Sequence, residues 1–290
     1  MNDIFRAFDA FARENRLPTY DVKTNIGFWR HLVIRRSKKT GETMVIVSVN
    51  TLYLGESQRE EFKKVLRSFI SGIKTITSAY LLHNTGKADI VQGNFEHISG
   101  TPVITEKLFD LEFEISPRSF FQTNTLGAEE LYRVTGEMIR TKNPTVFDLY
   151  AGTGTIGMVL ASRAKEVYSV EIVPEASEDN IRNLAKNNIK NVTVVNAPVE
   201  KLLEDWKKEG KNPDVIVIDP PRAGMHPDAP GILRDFNPRE IIYVSCNPAT
   251  LARDIPLIAP NGEYRVTDIT PVDMFPHTHH IEAVVRMERV

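Results

Sequence analysis

Cysteine is almost missing from the sequence, which contains a single one, Cys246, in 290 residues. One cysteine excludes an internal disulfide framework, a four-cysteine iron–sulfur site and a CxxC redox pair. The thiol is therefore either a small buried apolar group or a reactive one, and a lone cysteine on a strand is more often buried and inert.

Long apolar runs and an excess of one charge are also missing. Lys and Arg total 36 against 38 Asp and Glu, which gives a formal net charge of -2 and a pI near 6.4. A protein that grips nucleic acid over its whole surface usually has a clear basic excess, so we expect any RNA contact to be local. No apolar run approaches the roughly 18 residues that span a bilayer, and no leader pattern is evident. We expect a cytoplasmic protein without membrane contact.

The first third of the chain has the pattern of a small α/β domain. Apolar residues at helical spacing near the start and within 58–70 predict two helices, and strands are predicted at 29–35, 44–49, 73–82 and 109–115. The residues around the first hairpin are basic: Arg30, Arg35, Arg36, Lys38 and Lys39. They either bind phosphates or form a solvated edge that discourages aggregation, and the sequence leaves both open.

From about residue 125, helices alternate with buried strands. Helices are predicted at 128–140, 155–164, 174–187 and 199–208, and strands at 146–150, 166–170, 192–196, 215–219 and 241–245. Such alternation predicts an α/β fold with a mostly parallel, doubly wound sheet. We therefore divide the chain into a small domain, 1–118, and a second domain, 119–290.

A glycine-rich turn lies between the first strand and helix of the second domain. Gly152, Gly154 and Gly157 have the GxGxxG spacing that lets a ligand approach backbone N–H groups. Glu171 ends the next strand and could accept the ribose hydroxyls of an adenosine, which suits nicotinamide cofactors and S-adenosylmethionine equally. The stretch 219–222 (DPPR) favours S-adenosylmethionine, because it places a carboxylate and two rigid prolines at the crevice.

Cys246 directly follows the strand 241–245 and should lie at the same edge of the sheet as Asp219 and the glycine turn. Beside a methyl donor, a thiol in this position is better explained as a reactive group than as a buried apolar one.

Five motifs in this order resemble the RNA 5-methyluridine methyltransferases: 119–124 (SFFQTN), 148–154 (DLYAGTG), 219–224 (DPPRAG), 245–254 (SCNPATLARD) and 273–282 (DMFPHTHHIE). The resemblance implies a Rossmann-like, S-adenosylmethionine-dependent domain that methylates carbon 5 of a uridine in tRNA or rRNA. It implies Cys246 as the nucleophile and Glu282 as the base. The residues assigned to the cofactor are Gln122, Tyr150, Gly152, Gly154, Glu171, Asn196 and Asp219. Those assigned to the substrate are Asp219, Arg222 and Phe121.

The chemistry explains why a thiol and a carboxylate are needed. Carbon 5 of uracil is too weak a nucleophile until a thiolate adds at carbon 6, and a base must later remove the carbon-5 proton. A free thiol is mostly protonated at neutral pH, so we expect a nearby cation or hydrogen-bond donors to favour the thiolate, with Arg222 and Arg253 as the candidate cations. The target is expected to be a single-stranded loop uridine, since the base must leave its stack.

Three alternatives remain. RNA 5-methylcytosine methyltransferases use two cysteines, and exocyclic-amine methyltransferases usually have an aromatic residue where this chain has Arg222. A non-catalytic RNA-binding factor with the same fold would not need Cys246 and Glu282.

Two further expectations concern metals and size. His277, His279 and His280 lack the companions of a metal site, so we expect no metal and place them in the base pocket or a turn. Many family members also carry an N-terminal β-barrel and an iron–sulfur cluster. This sequence resembles a short form lacking both, and we expect a monomer.

Overall fold

A computed structural model describes all 290 residues, which divide into two compact units. The first unit contains residues 1–107 and 114–117, and the second contains 108–113 and 118–290. Residues 108–113 were expected in the first domain, but Leu108 and Phe113 pack into the same core as Ala128 and Leu131 of the second unit. No helix is both long enough and apolar enough to cross a bilayer.

The first unit is a four-stranded sheet with two helices. Its elements are α1 (Asn2–Glu14), β1 (Trp29–Arg36), β2 (Thr43–Val49), a 3-10 turn (Thr51–Tyr53), α2 (Glu56–Ser71), β3 (Ser78–His83) and β4 (Asn94–Gly100). The strand order is β1-β2-β3-β4, with β2 and β3 parallel and the two outer pairs antiparallel. Two short strands, β5 (Ile104–Leu108) and β6 (Leu111–Ile115), pair separately. The sequence did not predict β4 or β5.

Two of the five basic side chains around the first hairpin hold the unit's own backbone. Arg30 stacks on the Tyr20 ring at 4.0 Å and donates to the carbonyl oxygen of Ala88 at 2.6 Å. Arg35 donates to the carbonyl oxygen of Ser116 at 3.1 Å. For these two arginines, a structural role accounts for the charge.

The second unit is a seven-stranded sheet covered by helices on both faces. Its further elements are α3 (Thr125–Met138), β7 (Thr145–Leu149), α4 (Thr155–Ala161), β8 (Glu166–Glu171), α5 (Pro174–Lys186), β9 (Val192–Asn196), α6 (Val199–Lys208), β10 (Val215–Ile218), α7 (Ala229–Phe236), β11 (Glu240–Ser245), α8 (Pro248–Ile258), β12 (Tyr264–Val272) and β13 (Glu282–Arg289). The strand order is β12-β13-β11-β10-β7-β8-β9. The five strands from β11 to β9 are parallel, which confirms the predicted Rossmann-like fold.

Strand β10 shows how the sequence produces this layering. Val215 and Val217 pack into the core on one face of the sheet, and Ile216 and Ile218 pack into the core on the other. Side chains alternate along a strand, so a strand covered on both faces must be apolar at every position. The winding direction reverses between β7 and β10, and such a reversal opens a crevice at the carboxyl ends of the strands.

Candidate active site

Strand register brings the predicted site residues to one edge of the sheet. Ile218 of β10 is aligned with Leu149 of β7, so Asp219 and Tyr150 leave the sheet side by side. Ser245 of β11 pairs with Ala283 of the antiparallel β13, so Cys246 leaves the sheet where Glu282 enters it. The nucleophile and base that the resemblance implies are thus neighbours.

The glycine turn after β7 is left-handed at three positions, with φ of 61° at Tyr150, 55° at Gly152 and 78° at Gly154. A Cβ atom at Gly152 would meet nothing within 4 Å, so this part of the turn faces open space. A Cβ atom at Gly154 would instead overlap the side chain of Asn180. Glycine is therefore required at 154 by both conformation and close packing.

Buried Asp148 anchors this turn to the helix that follows. Its Oδ2 accepts hydrogen bonds from the Gly157 N–H and the Ser169 hydroxyl, both at 3.0 Å. Burial raises the pKa of Asp148 to about 7, and these two hydrogen bonds only partly oppose the shift.

The end of β8 presents an oriented carboxylate. Glu171 accepts the Gly152 N–H on Oε2 at 2.8 Å and the Val173 N–H on Oε1 at 2.7 Å. Asn196 at the end of β9 donates to the Glu171 carbonyl oxygen at 2.8 Å, and the Tyr150 hydroxyl donates to Glu200 at 3.1 Å. Each Glu171 oxygen keeps a free lone pair, so this carboxylate, the open face of the turn and the exposed apolar Val173 fit an adenosine-bearing cofactor.

Arg222 lowers the pKa of the Cys246 thiol, as expected of a nearby cation, but the environment as a whole raises it. Burial raises the pKa of the thiol, the negative charges of Glu282 and Asp219 raise it further, and Arg222 opposes them only weakly. Arg253 donates from Nε to Asp254 at 2.8 Å and from Nη2 to the Ala223 carbonyl at 3.0 Å. The charge of Arg253 is therefore directed at Asp254 and not at the Cys246 thiol.

Two carboxyl groups beside the thiol have raised pKa values. Burial raises the pKa of Asp219 to about 8, with contributions from the nearby charges of Glu282 and Asp148. Burial also raises the pKa of Glu282, which is 6% exposed, and Arg222 lowers it by a smaller amount. Asp219 is therefore mostly protonated at neutral pH and can donate a hydrogen bond as well as accept one.

Asp254, which the sequence analysis did not select, ties the loop after β10 to the segment that carries Cys246. Its Oδ2 accepts the Met225 N–H at 3.0 Å and the Tyr243 hydroxyl at 2.7 Å. Asn247 donates from Nδ2 to the Arg222 carbonyl oxygen at 3.2 Å and strengthens the same connection. No sequence pattern pointed to this role, because α8 contains Pro256 and its apolar spacing is irregular; the structure places Asp254 on the same buried face as Leu251 and Ile258.

The two phenylalanines in the segment before α3 differ in their exposure to solvent. Phe121 packs against the core with its ring centroid 5.7 Å from that of Phe113, whereas Phe120 is 73% exposed. Gln122 follows and is partly buried. Asn124 caps α3 by accepting the Gly127 N–H at 3.1 Å, and it donates to the Met274 carbonyl at 2.8 Å.

His277, His279 and His280 lie on the turn between β12 and β13, next to Glu282 in the chain. His277 and His279 are exposed, and His280 is partly so. No group of three or more His, Cys, Asp or Glu side chains in the protein is arranged to hold a metal ion.

Comparison with known proteins agrees with this geometry. The family model described as tRNA (Uracil-5-)-methyltransferase matches residues 85–290. The chain is 41% identical over 279 residues to an uncharacterized RNA methyltransferase of Lactobacillus johnsonii, covering 96% of this chain and 60% of that protein. It is 39% identical over 290 residues to one of Bacteroides thetaiotaomicron, covering 99% of this chain and 63% of that protein.

One solved structure resembles nearly the whole chain. It is the Pyrococcus abyssi tRNA (uracil-54, C5)-methyltransferase in complex with S-adenosyl-L-homocysteine, with a TM-score of 0.75 and 31% identity, covering 97% of this chain and 65% of that one. The chain thus spans about three fifths of the length of these relatives. With the glycine turn, the oriented Glu171 and the adjacent Cys246 and Glu282, these matches show that the chain belongs to the tRNA (uracil-5-)-methyltransferase family.

Proposed function

We propose that this protein transfers a methyl group from S-adenosylmethionine to carbon 5 of a uridine in RNA, through a covalent adduct between Cys246 and carbon 6. The observation that carries the proposal is the β11–β13 register, which sets Glu282 beside Cys246 at the crevice. The family match and the methyltransferase fold support it. We propose tRNA as the first substrate to test, because the Pyrococcus relative is named for a tRNA uridine.

S-adenosylmethionine would supply an electrophilic methyl group at this edge of the sheet. Glu171 would accept the ribose hydroxyls with the lone pairs that its two backbone hydrogen bonds leave free, and Asn196 would act indirectly by holding the end of β8. The remaining residues proposed to contact it are Gln122, Tyr150, Gly152, Gly154 and Asp219.

Cys246 would add to carbon 6 of the uracil as a thiolate. The addition breaks the 5,6 double bond and moves an electron pair through the ring to O4, which makes carbon 5 nucleophilic. Because the thiol has a raised pKa, its activation depends on proton removal once the substrate is in place. The thiol proton would pass to solvent, which leaves Glu282 ionised and able to accept the carbon-5 proton in the last step.

Asp219 and Phe120 would position the base. A protonated Asp219 can donate to O4, where negative charge develops, and accept from the N3 hydrogen of uracil. The exposed ring of Phe120 is free to stack on an unstacked base, so we move the base contact from Phe121 to Phe120.

Glu282 would complete the reaction as the base. After methylation, carbon 5 carries both a methyl group and a hydrogen. Removing that hydrogen as a proton re-forms the double bond and expels the Cys246 thiolate.

The test is transfer of tritiated methyl from S-adenosylmethionine to unmodified tRNA, followed by nucleoside analysis. We expect 5-methyluridine with the wild type and none with Cys246→Ala, which should still bind S-adenosylhomocysteine by calorimetry. Methyl transfer by Cys246→Ala would disprove the covalent route, and a methylated base other than uridine would disprove the target. Transfer to rRNA but not to tRNA would overturn only the choice of RNA.

A further inference from the structure

The turn between β12 and β13 has a shape fixed by its own hydrogen bonds. Thr278 donates to the Phe275 carbonyl oxygen from both its N–H, at 3.1 Å, and its hydroxyl, at 2.8 Å. The His280 N–H donates to the Thr278 hydroxyl oxygen at 3.2 Å, and Asn124 holds the start of the turn through the Met274 carbonyl. These hydrogen bonds therefore fix the backbone of the turn that carries His279 and His280.

His279 and His280 differ from most other histidines in lacking an acidic partner. His31, His83 and His226 each lie within 3.4 Å of a carboxylate oxygen. The rings of His279 and His280 instead contact each other, with centroids 4.1 Å apart and planes tilted by 41°, and neither forms an ion pair. Neither ring therefore lies within ion-pair distance of a carboxylate oxygen.

Arg222 from the loop after β10 adds a third unpaired positive charge to the same region. Burial, the neighbouring His279 and the charge of Arg222 together lower the pKa of His280. Asn247, which follows Cys246, donates to the Arg222 carbonyl oxygen at 3.2 Å, so Arg222 borders the active site, and its charge lowers the pKa of Glu282. Asp273, at the start of the turn, is exposed and pairs with none of the three.

We propose that Arg222, His279 and His280 form a cationic rim that binds the RNA phosphates next to the uridine placed over Cys246. This inference rests on the proposed function and identifies which part of the RNA the site's border recognises. Unpaired cations beside a site attract a polyanion, and phosphate contacts set the position of the backbone without reading its sequence. These contacts would hold the RNA strand while its base is unstacked. The protein as a whole, with a net charge of -2, does not attract RNA in this way.

The cationic rim predicts that RNA binding and formation of the Cys246 thiolate change with pH in opposite directions. The pKa of His280 lies below its ordinary value near 6.5, so this side chain gains its charge only as the pH falls through that lowered pKa, and affinity for RNA should increase as the pH falls from about 7.5 to about 5.5. Formation of the Cys246 thiolate instead increases as the pH rises. Asp219, with a pKa of about 8, and Glu282, with a raised pKa, also gain protons as the pH falls. The contribution of the histidines is therefore the difference in pH dependence between wild type and variants lacking them, measured without turnover.

The experiment measures the affinity of a fluorescent RNA stem-loop with an unpaired loop uridine, in the presence of S-adenosylhomocysteine. Wild type is compared with the double variants His279→Ala/His280→Ala and His279→Asn/His280→Asn. His226→Ala is the control, because that exposed histidine already has Asp228 as a partner at 3.4 Å. Titrations are run at both pH values and several salt concentrations.

We expect both double variants to bind about five- to tenfold more weakly than wild type at about pH 5.5, the size of one or two partly exposed charge-assisted hydrogen bonds. The slope of log affinity against log salt should decrease in magnitude by about 0.7 for each RNA phosphate that the variant no longer neutralises. An uncharged methylphosphonate linkage beside the loop uridine should remove the difference between the wild type and the variants. His226→Ala should bind as the wild type does.

Equal affinity of wild type and both double variants at the lower pH would overturn the inference, as would a pH dependence of affinity that is the same in wild type and both double variants. Neither result bears on the methylation product, because no methyl transfer takes place in this assay. Failure to form 5-methyluridine in the transfer assay would instead count against the proposed function.

Discussion

The Asp254 network gives the sharpest prediction about how the active-site loops are held. Asp254 is 1% exposed, and Asp254→Ala would leave the Met225 N–H and the Tyr243 hydroxyl without their acceptor. Each buried donor left unsatisfied costs about 1–3 kcal/mol, so we expect the free energy of unfolding to fall by about 3 kcal/mol. The bond from half-exposed Arg253 adds little, because solvent screens it.

The measurement is urea denaturation of wild type and variant, with methyl transfer assayed on the folded proteins. The matched control is Asp235→Ala, because the ion pair of Asp235 with Lys207 is exposed and its removal should cost less than about 0.5 kcal/mol. Tyr243→Phe should cost about 1 kcal/mol, since it removes one buried hydrogen bond. In addition, Asp254→Ala should slow methyl transfer, because the loop bearing Asp219 and Arg222 loses its anchor. A cost for Asp254→Ala equal to that of the control would refute the reasoning.

Three further predictions use other parts of the second unit. Glu282→Gln should accumulate a protein–RNA adduct on a denaturing gel, because thiol addition can proceed while proton removal stalls; an active wild type with no adduct in the variant would contradict the assignment of the base. Gly154→Ala should destabilise the fold by about 3 kcal/mol or more in denaturant titrations, since left-handed alanine costs about 1–2 kcal/mol and its methyl group would meet the Asn180 side chain. Gly210→Ala, at φ 73° with nothing within 4 Å, should cost only the conformational part, and equal costs at the two sites would argue against the steric role. Asp219→Asn should raise Tm relative to wild type by an amount that grows between pH 3.8 and about 8. In that window the folded state of the wild type binds more protons than the unfolded state, so the wild type loses stability as the pH rises. A difference in Tm that does not change with pH would show that burial does not raise the pKa of this group.

The sequence by itself determined the architecture of the second unit. Strand β9 and helix α6 have the predicted bounds, and the buried strands are recognisable because a strand covered on both faces must be apolar throughout. The edge strand β12 and helices α7 and α8 were not predicted. Strand β12 includes Asp268 and Pro271 and is exposed at several positions, and α8 contains Pro256, so neither shows a regular apolar pattern.

The five motifs also predicted which residues form the candidate site, because chain order and residue type can be read from the sequence alone. Parallel strands end at one edge, so Asp219 and Cys246 could be placed together from the strand pattern alone. Glu282 could not be placed in this way, because its position depends on the antiparallel pairing of β13 with β11.

Only the tertiary structure decided the electrostatics and the roles of individual side chains. It directed Arg253 to Asp254 instead of Cys246, packed Phe121 against the core while exposing Phe120, and raised the pKa of Asp219. The physical reason is that charge and burial depend on neighbours distant in the chain, whereas strand periodicity and glycine turns are local. Spacing along the sequence identifies which groups reach the crevice, and packing determines which are charged, which are free and which only hold the others in place.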